Sequence, residues 1–123
     1  MPVIEHGREI QMRPGIRGQF KANKELGANE VGLLFNTVEP GVTVPLHMHP
    51  VEEVLQVVRG TLWVQIGDER QTVGPQHTVI IPPGTPHAWG NESDEVVEVV
   101  FAFGGPDPFA DAVYLDGEAP VRV

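Results

Sequence analysis

The chain has 123 residues, 41% of them hydrophobic, which is the length of one domain with enough apolar content for a core of ordinary size. It has no cysteine, which excludes a disulfide framework, a thiolate nucleophile and a cysteine metal site, so any metal must be held by His, Asp or Glu. A net charge of −9 spread along the sequence argues against nucleic acid or an anionic membrane as partner, since both require a basic face.

In chain order, the first 30 residues form an arm with weak signals. "REIQM" (8–12) reads as a strand, and "FKANKELGANE" (20–30) as a loop or one helical turn. Short apolar runs rich in Val, Ile, Leu and Phe follow at 31–41, 54–60, 61–69, 77–84 and 96–105, each closed by a turn signal. In the third of these runs Leu62, Val64 and Ile66 alternate with Thr61, Trp63 and Gln65, the period of a strand with one buried face. Residues 104–123 read as an irregular tail. Twelve prolines and fourteen glycines leave no room for long helices, and no period of 20 to 50 residues repeats. The expectation is an all-β sandwich or barrel, a single domain over 1–123.

The chemistry is concentrated in "PLHMHPVEEV" (45–54). On an extended strand His47 and His49 point the same way, roughly 6 to 7 Å apart, a span from which two imidazoles can grip one ion. Glu53 shares their parity and Glu52 does not, so Glu53 belongs with them if Pro50 merely bends the strand. A bulge at Pro50 would reverse that assignment. Downstream, Pro82, Pro83, Gly84 and Pro86 make a rigid turn that fixes where His87 points, which makes it the natural third imidazole. His6 and His77 read as ordinary structural histidines.

Gly41, His47, His49, Glu53 and Gly60 stand at the spacing G-x5-H-x-H-x3-E-x6-G, which resembles the first motif of the cupin superfamily. After a further 15 residues, Pro82, Gly84, His87 and Asn91 match the second motif, G-x5-P-x-G-x2-H-x3-N, with Gln76 in place of its first glycine. Gly74, two residues earlier, is the candidate to take over that turn. The motifs cover 41–60 and 76–91. The resemblance implies an antiparallel jelly-roll barrel, or double-stranded β-helix, of six to eight strands. It also implies a metal held inside by His47, His49, Glu53 and His87.

Such a donor set leaves a divalent ion with a charge near +1 and, if octahedral, two further positions. Fe(II) is favoured, with Mn(II), Ni(II), Co(II) and Zn(II) as alternatives. Trp89 has the parity of His87, and Phe101 and Phe103 share one face of the last long strand, so these three are candidate walls of a substrate pocket. Glu53 is the candidate catalytic residue, as ligand or detached base. Basic and acidic groups around the site look scarce, and Tyr114 lies in the tail. The expectation is a metal-dependent oxygenase (dioxygenase) acting on a small chelating molecule. The alternatives are a redox-neutral lyase, isomerase or cyclase on a sugar acid or polyketide-like substrate, or a non-catalytic small-molecule-binding module. "MPVIEHGREI" lacks the basic start and apolar run of a signal peptide, and no stretch nears the roughly 20 apolar residues of a membrane span. A soluble cytoplasmic homodimer, joined through an exposed N-terminal edge strand, is expected.

Overall fold

A computed structural model describes residues 3–116. Among these it contains no helix and eleven strands: β1 (Glu9–Arg13), β2 (Ile16–Ala22), β3 (Gly32–Val38), β4 (Thr43–Met48), β5 (Glu53–Arg59), β6 (Leu62–Ile66), β7 (Glu69–Val73), β8 (Thr78–Ile81), β9 (His87–Gly90), β10 (Val97–Phe103) and β11 (Val113–Tyr114). One sheet has the order β1-β2-β3-β10-β5-β8 and the other β11-β4-β9-β6-β7. All pairings within them are antiparallel. From β3 to β6 the chain alternates between the sheets, and it does so again from β7 to β10. The result is a jelly-roll barrel.

Alternation explains why these segments become strands. β3 and β10 bury every second residue, and the inward set meets the other sheet across a shared core. Leu34, Leu55, Val57 and Val99 come from the larger sheet, and Leu62, Val64 and Trp89 from the smaller. Each is at most 4% exposed, and burying a side chain of this kind stabilises the fold by about 1.5–3 kcal/mol. Trp63 points out of this core yet is also buried, because the Arg70 guanidinium lies 4.0 Å from its ring centre.

The strand count exceeds the expected six to eight, and the extra strands explain themselves. β2 was missed because only Ile16 and Phe20 of its inward positions are large and apolar, with Gly18 between them. β7 has four exposed residues and one buried, Val73, so pairing with β6 rather than an apolar pattern defines it. The stretch 20–30 completes β2 and then turns, with Gly27 at φ 101 and its N–H donating to the Lys24 carbonyl at 3.1 Å. The tail, expected to be irregular, contributes β11, and its residues 117–123 lie outside the described residues. β1 forms one edge of the larger sheet, paired with β2 alone. Among the described residues no helix is long and apolar enough to cross a membrane.

The glycines of the motifs have a conformational reason. Gly41, Gly60 and Gly84 adopt φ of 81, 91 and 69, left-handed backbone that costs a side-chain-bearing residue about 1–2 kcal/mol. Gln76 does not break the pattern, because no non-glycine residue among those described has positive φ. That turn instead closes through the His77 N–H onto the Gly74 carbonyl at 3.0 Å.

Candidate metal centre

Three strands and one loop bring the donors together. His47 lies on β4, His87 opens β9 directly opposite it, Glu53 opens β5 in the other sheet, and His49 sits in the crossing between β4 and β5. Parity groups Glu53 with the histidines only along a continuous strand, and the chain does not run that way here. Residues 49–52 leave the smaller sheet and enter the larger one, so no continuous strand links His49 to Glu53. Glu53 is nevertheless buried and Glu52 exposed. One nitrogen from each of His47, His49 and His87 and one Glu53 oxygen lie within 4.8 Å of one another. All four residues are at most 3% exposed.

Each imidazole is oriented by a backbone carbonyl. Nδ1 of His47 donates to the Pro45 carbonyl at 2.7 Å, Nδ1 of His87 to that of Thr85 at 2.8 Å, and Nδ1 of His49 to that of Pro108 at 2.7 Å. A carbonyl only accepts, so the proton of each neutral ring belongs on Nδ1 and a lone pair is left on Nε2. The turn at 82–86 is itself tied down, since the Gly84 N–H donates to the His49 carbonyl at 2.8 Å.

The lone pairs face a carboxylate. His49 Nε2 is 3.4 Å from Glu53 Oε1, and His87 Nε2 is 3.4 Å from Glu53 Oε2. Oε2 and His87 Nε2 have no hydrogen-bond partner. Acceptors facing acceptors in a dry interior are costly unless a cation or proton lies between them. Burial, helped by the neighbouring His87, pushes His47 down to about 4, and burial likewise lowers His49. Burial would lower His87 as well, but the adjacent Glu53 carboxylate outweighs it and raises that imidazole, the response of a group offered a proton where a cation belongs. A nitrogen-rich, oxygen-completed donor set of this kind fits a divalent transition ion.

The cavity beside the donors is walled largely by apolar side chains, and Trp89, Phe101 and Phe103 all line it. So do Arg13, Asn36, Phe109 and Tyr114, from segments in which the sequence offered no recognisable chemistry. The Tyr114 ring stacks on His47 at 4.9 Å between centres, 14° from parallel. Burial pushes its hydroxyl up to about 12, against the opposing pull of the Arg13 guanidinium, which lies 5.9 Å from the ring centre. Phe109 meets the His49 ring edge-on at 5.8 Å. The terminal segments thus close over the donors. No spacing rule could have found Arg13, Phe109 and Tyr114, because they reach the site from the two ends of the chain. His6 and His77 are both exposed, away from the core positions considered for them. Asn91 of the second motif is a brace: its amide donates to the Val38 and Glu95 carbonyls at 3.2 and 2.7 Å.

A family model for the cupin domain matches residues 34–103. Among solved structures, an oxalate oxidase in complex with glycolate is 25% identical with a TM-score of 0.72, over 82% of this chain and 55% of that one. The oxalate decarboxylase of Lactobacillus farciminis in its formate complex is 18% identical with a TM-score of 0.73, over 91% of this chain and 33% of that one. KdgF from Halomonas sp. is 17% identical with a TM-score of 0.70, over 81% of this chain and 88% of that one. The chain thus spans 55% of the oxidase and 33% of the decarboxylase. With the matched segment containing both histidine motifs, the seven strands β4 to β10 and most of β3, the chain belongs to the cupin domain family.

Proposed function

We propose that this chain is a metal-dependent oxygenase of the dioxygenase type, holding one divalent ion, Fe(II) in first place, on His47, His49, Glu53 and His87. Its substrate is a small organic molecule that chelates through two oxygens. The observation that carries this reading is the gathering of three imidazole lone pairs and one carboxylate within 4.8 Å, at the edge of a largely apolar cavity. The likeness to an oxidase in complex with glycolate supports a small, oxygen-rich substrate.

Held there, a divalent transition ion supplies Lewis acidity to a chelated oxygen and, when redox-active, electron exchange with O2. The protein supplies the rest. The carbonyls of Pro45, Thr85 and Pro108 fix the three rings before any ligand arrives, so little ordering remains to be done on binding. Glu53 balances charge and can take the proton of a substrate hydroxyl at Oε2, which has no competing partner. Trp89, Phe101 and Phe103 keep bulk water from the reacting atoms.

A second reading is favoured by Tyr114. Its hydroxyl, pushed up to about 12, stays protonated at neutral pH and stands beside His47 as a proton donor, as a redox-neutral lyase, isomerase or cyclase would need. Elemental analysis of untagged protein purified without added metal, followed by matched aerobic and anaerobic assays on chelating enols, diketones and sugar acids, separates the readings. Oxygen uptake that tracks added Fe(II) and vanishes in His49→Ala supports the oxygenase. Turnover without O2, indifferent to exchange of iron for zinc or nickel, replaces it with the second reading. Ion and ligand binding with no turnover in either atmosphere leaves a binding module.

For assembly we propose a homodimer joined along β1, the edge strand that pairs with β2 alone. Ile10 and Met12 of β1 belong to the core, so removing residues 1–12 would strip the fold along with the edge. The cleaner test is light scattering on the intact chain, where the mass of one chain overturns the dimer.

A further inference from the structure

The inward face of β3 reads Gly32, Leu34, Asn36, Val38, all buried, so one carboxamide stands in an otherwise apolar row. Asn36 is 5% exposed, and its Oδ1 finds no hydrogen-bond partner. An orphaned acceptor in a core lowers stability, and an apolar side chain at this position would avoid the loss.

The residue across the ladder makes room for it. Gly18 pairs with Asn36 in the β2–β3 register, and a Cβ at Gly18 would lie 2.7 Å from Asn36 Oδ1 and 2.8 Å from Met12 Cγ. Gly18 is not among the glycines with positive φ, so the backbone does not require glycine there. The space above it is filled by the carboxamide.

Asn36 lines the same cavity as His47, His49, Glu53 and Arg13. The free space there, about 30 Å³ as swept by the centre of a water molecule, holds roughly two waters, so whatever enters is small. The charge favours an anion, since an ion held on three neutral imidazoles and one carboxylate carries a net charge near +1 into a low-dielectric space. An unpaired carboxamide oxygen accepts, so the anion should also bring a donor.

We propose that Asn36 is the specificity-determining residue of the site and that its ligand is a small hydroxy acid, whose carboxylate is drawn to the held ion while its hydroxyl donates to Asn36 Oδ1. This rests on the metal-centre reading above. Gly18 acts as a positioning residue by leaving the carboxamide its space.

The test uses glycolate and acetate, which differ by one hydroxyl, titrated calorimetrically into the Mn(II)-loaded full chain. Wild type is expected to bind glycolate about tenfold or more tightly than acetate, the range for one buried hydrogen bond whose loss leaves an acceptor unpaired. Asn36→Leu and Gly18→Ala should still take one ion per chain by elemental analysis while losing that preference. A second readout needs neither ion nor ligand: metal-free Asn36→Leu should melt a few degrees higher than wild type, whereas a carboxamide present for stability would make it melt lower. A preference that survives in Asn36→Leu, a lower melting temperature, or a wild type that prefers neither acid each overturns the proposal. A wild-type chain that takes up no ion sinks the metal-centre reading itself, and this proposal with it.

Discussion

The middle of the chain and its two ends treat the same site differently. Segment 41–91 supplies all four donors, and two of them are oriented locally: the carbonyls that hold His47 and His87 are those of Pro45 and Thr85, two residues back. His49 is oriented by Pro108, 59 residues away. Of the rings packed on the donors from outside the motifs, Phe103 comes from β10 and Phe109 and Tyr114 from the tail, and Arg13, whose guanidinium lies 5.9 Å from the Tyr114 ring centre, comes from the N-terminal arm. The middle therefore determines what can be bound, and the ends determine how rigidly and in what surroundings. A donor two residues from its acceptor is positioned as soon as its strand forms. One that waits for Pro108 is positioned only when the barrel closes.

The strongest test of the middle removes a donor. His49→Ala should take the ion content from one per chain toward zero and lower turnover by roughly a hundredfold or more, at least the scale for disturbing a metal's ligand set. Glu53→Gln should also lose the ion, yet its metal-free form should be more stable than wild type by about 1–3 kcal/mol, because a buried carboxylate with an unpaired oxygen has been replaced by a neutral amide. Urea unfolding in chelator reads that difference. Undiminished ion content in either variant would place the binding elsewhere.

Next in size is the tail. A chain ending at Asp107 keeps every donor but loses Pro108, Phe109 and Tyr114, so it should bind the ion about 10- to 100-fold more weakly without losing it, as expected when an outer hydrogen-bond partner of a ligating imidazole is removed. Competition with a chelator of known affinity measures this. An affinity equal to that of the full chain would make the tail a passive cover.

The same contrast decides what could be read from the sequence. Short-range signals were legible. The parity of Leu62 and Val64 placed both in the core, and the glycines at 41, 60 and 84 fell where left-handed backbone is required. The donors were legible by type and spacing, although the parity argument for Glu53 assumed an unbroken strand where the chain crosses between sheets. Contacts closed by the barrel were not legible. Nothing in the tail marks Pro108 as the acceptor for His49, since any residue supplies a carbonyl. Tyr114 lies 67 residues after the ring it stacks on. Asn36 is the one polar letter on the inward face of β3, and its significance depends on Gly18 opposite, which only the register reveals.

A smaller effect sharpens the comparison from the side of the middle. Gly60→Ala puts a side chain on backbone at φ 91, with its Cβ 2.8 Å from Val97 Cγ2, and should lower stability by about 2–3 kcal/mol. Gly67→Ala, at φ 58 with nothing within 4 Å, should lose about 1 kcal/mol. Neither should move ion affinity, because no donor sits on either turn and the Gly67 N–H that donates to the Pro86 carbonyl at 3.1 Å, beside His87, is kept by alanine. Chemical unfolding beside metal titration separates the two quantities, and a coupled loss of ion affinity in Gly60→Ala would show that the β5–β6 turn helps to hold Glu53.

Tyr114→Phe should give the smallest change in stability and the most discriminating change in chemistry. The ring would still stack on His47, because the contact is between faces 4.9 Å apart and needs no hydroxyl. What disappears is the hydroxyl's interaction with Arg13, and ion affinity should hold within about twofold since no donor loses its acceptor. In an oxygenase whose chemistry is carried by the ion and Glu53, oxygen uptake should then change by a few-fold. In a redox-neutral enzyme that draws its proton from Tyr114, turnover without O2 should fall by about 10²–10⁴-fold at unchanged ion content, the range for losing a positioned general acid. A small loss assigns the tail to support alone, and a large one makes it a supplier of a reacting group.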